Sequence, residues 1–208
     1  MAQPLNYLRE TASQTAGPYV HIGLAPGAAG FKIFESELGH DIAGPNADGE
    51  RIRVEGLVLD GTGAPLKDVL IEVWQANAAG IYASPADSRH REVEEGFRGW
   101  GRVISDFETG LFAFETVKPG VVRGRRGRPM APHLNLWLVA RGINIGLNTR
   151  MYFSDEAEAN GADPVLGLIE QVNRRPTLIA EREERDGSPV YRFDIRLQGD
   201  NETVFFDI

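Results

Sequence analysis

The stretch APHLNLWLVARG, residues 131–142, carries the residue types best suited to chemistry. It has the two-residue period of a β-strand. Leu134, Leu136, Leu138 and Ala140 point one way, and His133, Asn135, Trp137 and Val139 the other. Side chains two residues apart on one strand face are well spaced to grip one metal ion, and His133 supplies an imidazole. Asn135 occupies the second place, so the pattern fits either a strand that never held a metal or a site that has lost a ligand. Arg141 closes the stretch with a guanidinium, whose planar fork pairs with a carboxylate through two parallel hydrogen bonds.

Other chemistries are excluded by what the chain lacks. It has no cysteine, which removes disulfides, thiolate metal sites and a thiol nucleophile. No G-x-S-x-G, phosphate-binding loop or G-x-G-x-x-G motif occurs, and the four histidines (21, 40, 90 and 133) lie far apart. The carboxylate pairs Glu94-Glu95 and Glu183-Glu184 sit in solvated charge runs. A formal net charge of −8 gives no field for nucleic acid. The local exception is RGRRGR at 123–128, four arginines in six residues, which reads as a solvated loop or as a funnel for a small anion. MAQPLNYLRE has no apolar leader core, and no apolar run reaches membrane-spanning length, so the expectation is a soluble, cytoplasmic protein without a membrane partner.

The elements that must position these residues are mostly strands. Residues 1–50, rich in Gly, Ala and Pro, predict an extended arm that packs on this or a partner chain. Residues 51–208 predict one β domain. RIRVEGLVLDG and DVLIEVWQAN are strands joined by a DGTGAPL turn, and GRVISDFETGLFAFETV reads as a hairpin across Glu108-Thr109-Gly110. TRMYFS is a further strand. VYRFDIRL, with Tyr191, Phe193, Ile195 and Leu197 on one face, forms a C-terminal hairpin with ETVFFDI across QGDNE. The clearest helix is DPVLGLIEQVNRR, capped by Asp163 with Pro164 at its first position. Many short strands and few short helices predict a mainly β fold, an antiparallel or mixed β-sandwich.

The stretch VEGLVLDGTGAPLKDVLIEVWQANAAGIY resembles the intradiol ring-cleaving dioxygenases through Gly56, Gly63, Leu66, the Ile71-Glu72-Val73-Trp74 strand and the Gly80-Ile81-Tyr82 turn. QTAGPY at 14–19, VKPG at 117–120, ARGINI at 140–145 and YRFDIRLQG at 191–199 extend the resemblance over nearly the whole chain. SQTAGPYVHIGL, PHLNLWLVARGINIGL and ETVFFDI are most similar to the alpha-type chains of its heteromeric members. The resemblance implies a β-sandwich of mixed connectivity and a non-haem ferric ion held by two tyrosinates and two histidines, hard donors suited to a trivalent metal. Residue by residue, Tyr82 falls at the first tyrosine, Val122 at the second, and His133 and Asn135 at the H-x-H pair. Two of four ligands are replaced, which answers the opening alternative in favour of a dismantled site.

The resemblance therefore implies a chain without a metal of its own, in a large hetero-oligomer whose beta-type partner holds Fe(III). The implied reaction inserts both atoms of O₂ into 3,4-dihydroxybenzoate, a small aromatic acid, giving 3-carboxy-cis,cis-muconate. By the same likeness, this chain contributes substrate contacts to the partner's site through Arg141 and through Gly17, Pro18, Thr15 and Tyr19 of the arm. Two other readings remain at this point: a ring-cleaving enzyme with an altered metal site, and a stand-alone β-sandwich that binds an aromatic acid.

Overall fold

A computed structural model describes residues 14–124 and 127–207. Eleven strands dominate: β1 (Arg51–Leu59), β2 (Leu70–Gln75), β3 (Trp100–Ile104), β4 (Leu111–Val117), β5 (Val122–Arg123), β6 (Pro129–Met130), β7 (His133–Val139), β8 (Leu147–Phe153), β9 (Ile179–Arg185), β10 (Ser188–Arg192) and β11 (Ile195–Arg196). Two short helices, α1 (Pro18–Leu24) and α2 (Ala157–Ala162), and several 3₁₀ turns complete the described residues. None of these helices is long and apolar enough to cross a membrane.

The strands form two facing half-sheets. One runs β4-β1-β10-β9 and the other β8-β7-β2-β3, and a short parallel pairing of Tyr152 with Ile179 and Phe153 with Ala180 joins them. β1 is parallel to β10 and β11 but antiparallel to β4, so connectivity is mixed. The core lies between the halves. Ile52, Val54, Phe112 and Tyr191 of one meet Ile71, Val73, Leu136, Leu138 and Met151 of the other. The alternation in β7 follows the sequence pattern, with Leu134, Leu136 and Leu138 buried in this core. The other face of β7 is thereby turned outward with His133, Asn135 and Trp137.

Three local expectations are corrected. The Glu108–Gly110 turn is tight, with Asp106 accepting from the Thr109 and Gly110 amides. It is no hairpin, however, because β3 pairs with β2 and β4 with β1, on opposite layers. The predicted helix after Asp163 is two 3₁₀ turns, Leu166–Leu168 and Val172–Leu178. Gly167 and Pro176 weaken the α-helical ladder there, and Asp163 spends one carboxylate oxygen on the Val165 and Leu166 amides and the other on Ala131. Among the described residues the C-terminal hairpin is reduced to one contact, in which the Thr203 amide donates to the Arg196 carbonyl and the Thr203 hydroxyl accepts from the Arg196 amide. Thr203–Phe206 crosses instead to β8, where Phe206 bridges Asn148 and the Thr149 hydroxyl donates to the Val204 carbonyl.

The arm contributes to this domain as well as lying on it. Ile42 is fully buried in the core, and the Gly99 amide donates to its carbonyl. Further towards the N-terminus the arm is exposed, with Tyr19, Ile33, Phe34 and Leu38 all more than half accessible.

Candidate functional site

Four positions mark the site that the sequence singles out, and the fold brings Tyr82, His133 and Asn135 into one contact. Asn77 organises the loop that delivers Tyr82. Its side-chain oxygen accepts from the Ala79 and Ile81 amides, and its amide nitrogen donates to Glu94 at 2.6 Å. Gly80 must be glycine here. Its φ is +72°, and a Cβ would fall 1.9 Å from the Val121 carbonyl oxygen. That close approach seats the Tyr82 loop on the Pro119–Val121 turn, directly before Val122, which is 2% exposed.

His133 and Asn135 come from β7. The His133 Nδ1 lies 2.7 Å from the Ala131 carbonyl, so it carries the proton and leaves Nε2 as an acceptor. The Tyr82 hydroxyl, 3.2 Å away, donates to that Nε2. Asn135 then donates to the Tyr82 oxygen at 3.2 Å and to the Trp74 carbonyl at 3.2 Å. Trp74 stacks on the Tyr82 ring with 5.8 Å between centroids. The result is a closed, neutral hydrogen-bond chain.

The electrostatics agree with neutrality. Burial pushes the His133 imidazole down to about 4, helped by the nearby Arg150 guanidinium and opposed by the Ala131 hydrogen bond. Burial also pushes the Tyr82 phenol above its ordinary range, although Asn135 counteracts in part. A ferric ion in this place would need anionic oxygen donors. Val122 offers hydrocarbon and Asn135 directs its N–H groups at the site, which leaves one phenol and one imidazole, so this donor set does not fit a trivalent metal.

The other predicted contacts gather elsewhere. Arg141 follows the far end of β7, eight residues and roughly 25 Å of extended chain from His133. Its Nε pairs with the Asp68 carboxylate, and its side chain is 68% exposed. The arm reaches this place: the Gly142 amide donates to the Thr15 hydroxyl at 2.7 Å, and that hydroxyl lies 3.4 Å from the Ala140 carbonyl. Gly17 is the extended N-cap of α1, Pro18 opens that helix, and Tyr19 is 83% exposed. Within one chain, then, Arg141 and the arm meet one another and leave Tyr82 and His133 apart.

Two further residues stand near the first cluster, Arg150, which lay outside the sequence reading, and Asp163, which was read only as a helix cap. Arg150 stands opposite Asn135 in register on β8, and Asp163 accepts from the Tyr152 hydroxyl at 3.2 Å behind His133. The signal for Arg150 was present in the alternation of TRMYFS, where it falls on the same outward face as Tyr152. In the RGRRGR loop, Arg123 and Arg128 are exposed, and Arg125 and Arg126 lie outside the described residues.

Comparisons with known proteins bear on this geometry. The family described as Dioxygenase (Dioxygenase_C) matches residues 33–199. The chain is 53% identical over 204 residues to the protocatechuate 3,4-dioxygenase alpha chain of Pseudomonas putida, covering 98% of this chain and 99% of that one. It is also 34% identical over 166 residues to the beta chain of the Burkholderia cepacia enzyme, covering 74% of this chain and 67% of that one. Among solved structures, hydroxyquinol 1,2-dioxygenase from Pseudomonas putida DLL-E4 superposes with a TM-score of 0.58 at 23% identity, over 80% of this chain and 64% of that one, a likeness of fold.

Proposed function

The chain belongs to the intradiol dioxygenase family, and we propose that it is the alpha-type subunit of a cytoplasmic protocatechuate 3,4-dioxygenase. The observation that carries the reading is identity with an alpha chain over almost the full length of both proteins. Its partner is a beta-type chain that holds Fe(III), and that ion supplies the activation of the catechol towards O₂. Both oxygen atoms enter the product, so 3,4-dihydroxybenzoate and O₂ give 3-carboxy-cis,cis-muconate with no external reductant.

In this reading the present chain shapes the pocket and binds no metal itself. Arg141 meets the substrate carboxylate across the interface, exchanging Asp68 for a ligand with the same charge and geometry. Its exposure makes that exchange inexpensive, since a surface ion pair contributes about 0–1 kcal/mol. Gly17 and Pro18 supply the arm's contacts with the flat ring, exposed Tyr19 follows them, and Thr15 pins the arm to the Arg141 turn. The exposed apolar residues of the arm, Ile33, Phe34 and Leu38, fit a surface covered by the partner.

The test is iron content and ring-cleaving activity of the chain alone and mixed with a beta-type partner. The expected result is a colourless, inactive lone chain and an active ferric complex. An iron-loaded, active lone chain would overturn the reading and favour an enzyme with an altered metal site.

A further inference from the structure

All three tryptophans of the chain, Trp74, Trp100 and Trp137, line one cleft of about 930 Å³ on the outward face of the β3-β2-β7-β8 half-sheet. Strand register sets them in its floor. Trp100 pairs with Trp74, Trp74 with Asn135, and Asn135 with Arg150, giving an aromatic row that ends in a guanidinium. Tyr82 stacks on Trp74 with 5° between the ring planes, so that ring is held from behind. Two more guanidiniums, Arg123 and Arg128, stand in the wall formed by β5 and β6. Leu168, Ile169 and Phe206 close the opposite side.

The charge balance of the cleft points to an anion. Among the described residues, Arg123, Arg128 and Arg150 form no ion pair, although thirteen such pairs occur in the chain, one of them between Arg102 and Glu72 at the edge of the cleft. Arg150 is half-buried, and its recorded hydrogen bond is to the Met130 sulfur at 3.6 Å, a weak acceptor. Three guanidiniums outnumber the two carboxylates of the lining, Glu72, which Arg102 holds at 2.7 Å, and Asp207. With indole rings in the same cleft they suit a flat ring bearing a carboxylate: the ring stacks while the anion takes the paired N–H groups. With the Tyr82–His133–Asn135 chain closed on itself, nothing at this end of β7 would react with such a ligand.

We propose that this cleft binds a small aromatic carboxylate as a second, non-reacting site, distinct from the Arg141 end of the molecule. The inference does not depend on the subunit role, because the cleft belongs wholly to this chain. The probe is 4-hydroxybenzoate, which lacks the second hydroxyl needed for ring cleavage. Tryptophan fluorescence of the full chain is titrated with it, and bound probe is counted by equilibrium dialysis in the complex with a beta-type partner. One molecule bound by the lone chain and two per alpha–beta pair are expected. Cyclohexanecarboxylate and phenol should each bind at least tenfold more weakly. Arg150→Met should abolish the second equivalent, and the exposed Arg128→Gln, which cannot disturb the core, should weaken it severalfold with ring-cleaving KM unchanged. A lone chain that does not bind overturns the proposal. So does binding that vanishes in the complex, since the partner then fills the cleft, or binding indifferent to both variants.

Discussion

At one end of β7 His133 is wholly buried and both its ring nitrogens have a partner, while at the other end Arg141 stands mostly in solvent with a single exchangeable ion pair. The first arrangement has the character of a core: neutral groups, hydrogen bonds within the chain and pKa values displaced by burial. The second has the character of a contact held ready for something outside the chain. In the proposed reading, Val122 and Asn135 turn the first end into a place of stability and leave the distant end of the same strand untouched.

That contrast can be broken most forcefully at His133. His133→Ala removes a buried ring and strands the Tyr82 hydroxyl and the Ala131 carbonyl, at a cost of about 3–5 kcal/mol. Chemical denaturation measures this, and ring-cleaving KM in the assembled complex should stay put. A loss below about 1 kcal/mol would mean that the buried end contributes little.

Acid provides the next test. The folded His133 titrates at about 4 against 6.5 for the free side chain, so the unfolded chain binds a proton more readily between those values. Its contribution is present in full above pH 6.5 and is lost as pH falls towards 4, about 3 kcal/mol in all. The difference between wild type and His133→Gln should reproduce this slope. A flat difference would show that the imidazole is charged in the folded state.

At the opposite end, Arg141→Ala should raise the KM for the carboxylated catechol about tenfold to a hundredfold, which corresponds to ~1.5–3 kcal/mol for a charge-assisted bidentate pair. Stability of the chain should move by less than about 1 kcal/mol, because the lost ion pair is exposed. A variant that unfolds the chain while sparing KM would reverse the contrast. Thr15→Ala is the mildest probe. It removes the acceptor of the Gly142 amide and should raise KM only a few-fold, about 1 kcal/mol.

The period-two pattern placed β7 and its faces correctly because one face of that strand is buried and the register admits no slip. The residues that meet there, Tyr82, His133 and Asn135, were legible as local residue types in quoted motifs, although their contact was not. Pairing partners were less so. The Gly110 turn looks the same whether the strands beside it hydrogen-bond to each other or part to opposite layers, and only the packing of Phe112 and Phe114 against the facing half decides. Asp163 was read as a helix cap. Its carboxylate serves that purpose, yet it also anchors Ala131 beside His133, a link across thirty-two residues that no local pattern carries. The aromatic cleft was hidden for the same reason, its three tryptophans lying on three strands.

β1 sits between β4 and β10, and the amide of Leu57 is met by the Asp194 carboxylate, 137 residues later in the chain. On the ribosome, one edge of β1 must therefore wait, its backbone N–H and C=O groups unpaired, until almost the entire polypeptide has emerged. An exposed edge of that kind recruits neighbouring nascent chains as readily as its proper partner. Synthesis of this protein should accordingly be sensitive to translation rate and to holdase supply, and misassembly should fall when elongation through residues 60–190 is fast.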